Sequence, residues 1–129
     1  MSICLLSCIQ LYYKASIFSL MYTIALVEVD VKLATRNNGN EISWKLGQCE
    51  SNIAYYASNT SFQQTCYLKE FTNELVCKDE GRNTWEGGYL VINNKKYCED
   101  SSWSDRSATK DYSIALGSKY IFIKIHIEL

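Results

Sequence analysis

Val27-Glu28-Val29-Asp30-Val31-Lys32-Leu33 alternates without a break, with an aliphatic residue at every odd position and a charged one at every even position. Successive side chains of a strand leave on opposite faces, so this pattern makes a ribbon with one apolar face and one wet face. The chain closes in the same way, with Ile121, Ile123, Ile125, Ile127 and Leu129 interleaved by Phe122, Lys124, His126 and Glu128. Two long amphipathic strands at the ends, with shorter ones between, predict an antiparallel β-sandwich in which first and last strands lie side by side.

The stretch between them fills in the short strands. Asn37-Asn38-Gly39-Asn40 carries an Asn-Gly pair, the residues that tolerate the positive φ of a type I′ turn, and predicts a hairpin into a strand over residues 41–46. There Ile42, Trp44 and Leu46 share one face, so Trp44 reads as core. Further strands are expected over 54–56, 62–68 and 74–78, and 89–92 is expected to fold back through Asn93-Asn94 onto 95–98. Residues 79–88 and 99–110 read as loops, the second carrying Trp103, and 112–116 reads as a strand. No helical periodicity persists after residue 27.

A chain of 129 residues is the size of one domain. Its 47% hydrophobic and 21% charged residues exclude the disordered and collagenous classes. The 13 Lys and Arg are scattered among 14 Asp and Glu, so the basic patch that displaces counterions from phosphates is missing and nucleic acid is not an expected partner. Ten Tyr, three Trp and four Phe suit half-buried pleated surfaces.

Six cysteines are many for a reduced domain of this size, and the even count fits pairing. Cys4 and Cys8 stand apart near the start. Cys49, Cys66, Cys77 and Cys98 contain no C-x-x-C pair, which favours disulfides over zinc, since a zinc site usually draws two ligands from one knuckle. Four cysteines allow three pairings.

Residues 15–27 run uncharged for the length of a signal-peptide core, short of the ~20 apolar residues that span a bilayer. Thr23 and Ala25 are small residues at the positions a signal peptidase reads, so residues 1–25 read as a signal peptide cleaved after Ala25, or as a leader from a start placed too far upstream. The competing reading makes the run a buried first strand. Residues 26–129 then form the single domain. Asn59-Thr60-Ser61 is an N-glycosylation triplet in a polar loop and agrees with secretion.

Asn40-Glu41-Ile42-Ser43-Trp44, Leu46-Gly47, Cys49, Thr65-Cys66-Tyr67-Leu68, Leu75-Val76-Cys77-Lys78-Asp79, Trp85-Glu86-Gly87-Gly88-Tyr89 and Tyr97-Cys98-Glu99-Asp100 follow one another in that order. Together they resemble a cysteine-rich extracellular module of secreted and multidomain invertebrate proteins, whose design is similar to the CUB-type, jelly-roll-like β-sandwiches. The resemblance covers about residues 27–100. It implies an all-β, disulfide-stabilised fold outside the cell and the pairing of Cys49 with Cys66 and of Cys77 with Cys98. It carries no established activity.

Two positions depart from the family's pattern. Where the family leads from the aspartate matching Asp79 into a Gly-Asp-Gly-Trp turn, this chain has Arg82-Asn83-Thr84 before Trp85. If that turn holds calcium in relatives, Asp79, Asp100 and Asp105 are the candidate ligands here, but a lost aspartate and a gained Arg82 remove charge that a hard cation needs, so no cofactor is expected. The second departure is a single Cys66 where the family often has two adjacent cysteines.

Catalysis is not expected. His126 sits on the polar face of a strand between Lys124 and Glu128, and a hydrolase using the loop carboxylates Asp79, Glu80, Glu99, Asp100 and Asp105 is the least favoured class, since sequence alone does not fix the separation of an acid and a base. A recognition module for an extracellular carbohydrate or protein is the leading expectation, with loop aromatics Trp85 and Trp103, and Tyr89 beside them, as the contacts. For Trp85 the alternative is an indole folded inward to cap the sandwich. A secreted structural scaffold without a ligand is the competing class, and no stable membrane span is expected.

Overall fold

The computed structural model describes residues 8–14, 17–103, 106–116 and 120–128, with side chains from Ser19 onward except at Ser102. Residues 1–7 of the N-terminal segment, with Cys4, and the acidic candidate Asp105 lie outside the described residues. The molecule is all-β: two antiparallel sheets packed as a sandwich and joined by two disulfides.

The strands are β1 (Cys8–Lys14), β2 (Ile17–Ala34), β3 (Ile42–Leu46), β4 (Cys49–Glu50), β5 (Ser61–Leu68), β6 (Thr72–Asp79), β7 (Tyr89–Ile92), β8 (Lys95–Tyr97), β9 (Thr109–Ala115) and β10 (Tyr120–Glu128). One sheet is organised around β2, which is flanked by β5 and β7 towards its end, by β1 and β10 towards its start, with β8 paired to β7. The other runs β4-β3-β6-β9.

Alternation decides what meets in the middle. Val27, Val29, Val31 and Leu33 of β2, Leu90 and Ile92 of β7 and Cys66 and Leu68 of β5 face Ile42, Trp44 and Leu46 of β3, Leu75 and Cys77 of β6 and Ile114 of β9 in one continuous core. Glu28, Asp30 and Lys32 are exposed, as the two-residue period requires. Trp44 is buried, and its Nε1 donates to the Tyr56 hydroxyl at 3.1 Å.

First and last strands do lie side by side, but not along the stretch that the alternation singled out. β10 pairs residues 19–27, from Tyr120 opposite Val27 to Glu128 opposite Ser19, while residues 27–34 of β2 take β5. β2 thus reaches back to Ile17 as one strand through the segment with leader character.

Two expectations are corrected. Asn37 to Asn40 form no hairpin: β2 and β3 belong to different sheets, and the chain crosses between them through a 3-10 turn, Gly39–Glu41. Tertiary contacts outweigh the local turn preference here. Buried Thr35 donates its hydroxyl to Ala57 O at 2.7 Å and accepts the Thr60 N–H at 2.9 Å, and the Gly39 N–H donates to Ser58 Oγ at 3.0 Å. A Cβ on Gly39 would stand 2.7 Å from Ala57 O, so glycine serves close approach at this position. Residues 54–56 form no strand either; Tyr56 is instead an inward anchor of an irregular loop, packed at a 59° tilt against Phe62 with ring centroids 4.8 Å apart.

Candidate functional site

β6 delivers the site. Its inward parity continues from Leu75 and Cys77 to Asp79, which places a carboxylate at the end of the core with 1% exposure. Asp79 Oδ2 accepts the Asn83 N–H at 2.7 Å and Oδ1 accepts the Gly81 N–H at 3.2 Å, so the buried acid organises the turn that follows. Burial pushes its pKa above the usual carboxylate range, opposed by these backbone donors and reinforced by Glu86.

The turn then winds through Arg82, Thr84 and Glu86, all at positive φ. A second carboxylate holds its far side: Asp100 Oδ1 accepts the Thr84 hydroxyl and Oδ2 accepts the Gly87 N–H, both at 2.9 Å. Asn83 Nδ2 donates to Glu86 Oε1 at 2.8 Å. Asp79 and Asp100 thus spend both oxygens on the 80–88 loop. Among the described residues, no group of three or more His, Cys, Asp or Glu side chains is arranged to hold a metal ion.

Of the two readings of Trp85, the molecule takes the inward one. The residue is 1% exposed, its Nε1 donates to Lys78 O at 2.9 Å, and no ring face is open to a ligand. Trp103 is half-buried, with Nε1 donating to Cys98 O at 2.9 Å and its ring centroid 6.4 Å from that of Trp85. These two indoles close the end of the sandwich beside the Cys77–Cys98 bridge.

Tyr89 lies on the outside of that end. It lines a shallow cleft of about 350 Å³ together with Gly87, Gly88, Lys96, Glu99, Asp100 and Ser101. Lys96 Nζ stands 4.2 Å from the Tyr89 ring centroid, a cation-π contact that sequence reasoning missed. A signal existed, since Lys96 and Tyr89 lie on partner strands of the hairpin that Asn93-Asn94 turns, both asparagines having positive φ. The cleft therefore presents an aromatic ring, an ammonium and acceptor oxygens within one small area.

No family model, curated protein or solved structure matches the chain. The disulfides carry the rest of the description. Cys49 of β4 is bonded to Cys66 of β5 with Cα atoms 5.9 Å apart, and Cys77 of β6 to Cys98 just past β8 at 6.0 Å. Each bridge joins one sheet to the other. Such bonds are consistent with an oxidising, extracellular environment. Among the described residues no helix is long and apolar enough to cross a membrane. His126 is exposed on β10, away from the loop carboxylates, and Asn59 is exposed in its loop at φ 53°.

Proposed function

We propose that the chain is a non-catalytic extracellular recognition module of CUB-like design, binding a carbohydrate or protein partner at the Tyr89 cleft. One observation carries the reading: the cleft wall is fixed from below by Asp79 and Asp100, which tie the turn's backbone, so Tyr89 and Lys96 are held in place before any ligand arrives. An aromatic face beside charged hydrogen-bonding groups suits a sugar ring or a polar peptide. Trp103 borders the same end of the sandwich as a supporting wall.

Secretion belongs to this proposal, with residues 1–25 as its leader and a glycan at Asn59. Cleavage after Ala25 leaves Val27, Val29, Val31 and Leu33 in place, so the sandwich core keeps its β2 face, while β10 loses its pairs from Phe122 to Glu128. Non-reducing peptide mapping of secreted protein reads the N-terminus, the bridges and the glycan together.

A glycan array tests the ligand class. The unaltered protein should retain a defined set of glycans, and Tyr89→Ala should abolish that binding while leaving both disulfides formed. Binding that survives Tyr89→Ala moves the site elsewhere. The competing scaffold reading is supported by the burial of Trp85, and a blank array, together with no protein captured by crosslinking from Lys96, decides for it.

A further inference from the structure

β10 is an edge. It pairs β2 on one side, and among the described residues no strand pairs its other side. Its residues 122–128 are all exposed, with Phe122 at 68% and Ile123, Ile125 and Ile127 at 39%, 39% and 40%. Natural edges are protected by shortness, prolines, bulges or clustered charge. Two other edges follow that rule, β4 with two residues and β8 with three, including Lys95 and Lys96, while β1, β5 and β9 are longer strands that also pair on one side among the described residues. β10 has nine residues and one lysine, in a chain without proline.

The apolar side of this strand also lies on the outside. β2 inverts its character near residue 27: its even positions are Leu20, Tyr22, Ile24 and Leu26 before that point and Glu28, Asp30 and Lys32 after it. Ile121, Ile123, Ile125 and Ile127 stand opposite Leu26, Ile24, Tyr22 and Leu20, on the face that is charged over the sandwich body. Lys124, His126 and Glu128 share the other face, opposite Thr23, Met21 and Ser19.

We infer that the free edge of β10 pairs antiparallel with β10 of a second copy of this chain, about a two-fold axis at His126. Directly opposite residues of an antiparallel pair share a face, so even positions must meet even ones or the isoleucine face is broken between copies. Among the registers that keep parity, centring on Lys124 sets lysine against lysine. Centring on Ile125 sets Lys124 against His126 and Phe122 against Glu128. Centring on His126 sets Lys124 against Glu128 of the other copy, twice by symmetry, and Ile125 against Ile127, also twice. Of these three registers, that one satisfies charge and apolarity together. It uses the edge away from β2 and needs residues 19–25 to hold Phe122 to Glu128 in the sheet, so it applies to the chain that keeps residues 1–25.

Sedimentation equilibrium of the oxidised full chain, residues 1–129, at low ionic strength tests the pairing. The unaltered chain should dimerise in a concentration-dependent way. Lys124→Glu and Glu128→Lys should each weaken the dimer about tenfold or more, because each turns two attractive cross-strand pairs into two repulsive ones. The double swap, Lys124→Glu with Glu128→Lys, should return the affinity to within about threefold. Both sites are exposed, and disulfide mapping of each of the three variants establishes that it folds. A chain that stays monomeric, single variants that match the parent, or a double swap as weak as the singles would each overturn the inference.

Discussion

Asp79 Oδ2 accepts the Asn83 N–H at 2.7 Å from a position that is 1% exposed, so one buried carboxylate sets the path of the loop that walls the cleft. Removing it as Asp79→Ala leaves the Gly81 and Asn83 N–H groups without their acceptor and should cost about 1–3 kcal/mol in urea unfolding. Its raised pKa also has a sign. Between the unfolded and the folded value the native state holds the extra proton, so this group's contribution to stability falls as pH rises through that window. The stability of the parent relative to Asp79→Asn should therefore decline from acid towards neutral pH. A difference that grows instead would mean that the backbone donors outweigh burial.

The two bridges should not be equal. Each closes a loop of similar length, 17 and 21 residues, so the chain-entropy contribution is about 3 kcal/mol for either. Cys77 and Cys98 are both fully buried between the sheets, whereas Cys49 is only half-buried. Cys77→Ala with Cys98→Ala therefore adds a core cavity to the lost crosslink. It should lower the urea midpoint more than Cys49→Ala with Cys66→Ala, by a further ~1 kcal/mol or more. Equal midpoints would assign the stabilisation to loop closure alone.

What could be read in advance was local, and what could not was the choice of partner. Strict alternation at residues 27–33 and 121–129 announces strands because one face of each must be dry, and Asn93-Asn94 announces its turn because both residues accept positive φ. Asn38-Gly39 carries the same turn chemistry, yet the chain crosses to the other sheet there, since Thr35 and Gly39 are bound by the 57–60 loop, which no local pattern reports. Asp79 was legible as a calcium candidate but not as a buried organiser, although its parity with Leu75 and Cys77 already placed it on the inward face. Trp85 sits outside any periodic segment, so the sequence left both of its orientations open, with the adjacent Gly87-Gly88 pair favouring the inward one. The pairing of β10 with residues 19–27 was hidden because those residues carry the composition of a leader as well as that of a strand.

Trp44 and Tyr56 give the sharpest test of the core. Trp44 Nε1 donates to the Tyr56 hydroxyl, which is in turn bonded to Ser51 Oγ, and Ser51 donates to Ile53 O at 2.9 Å, so the indole, the phenol and the loop backbone form one chain of satisfied groups. Ser51 keeps its carbonyl partner if the phenol is lost; the indole does not. Tyr56→Phe should therefore cost about 1–3 kcal/mol, chiefly from a buried N–H left unpaired. Trp44→Phe removes the donor and also leaves space, so alone it should cost about 2 kcal/mol or more. Made in the Tyr56→Phe background, it should cost less, because the orphaned donor goes with the ring. The cycle should close with a coupling of about 1 kcal/mol between the two residues, read from urea midpoints at constant slope. Strict additivity would mean that the hydrogen bond contributes nothing and that the 51–56 loop is held by apolar contact alone.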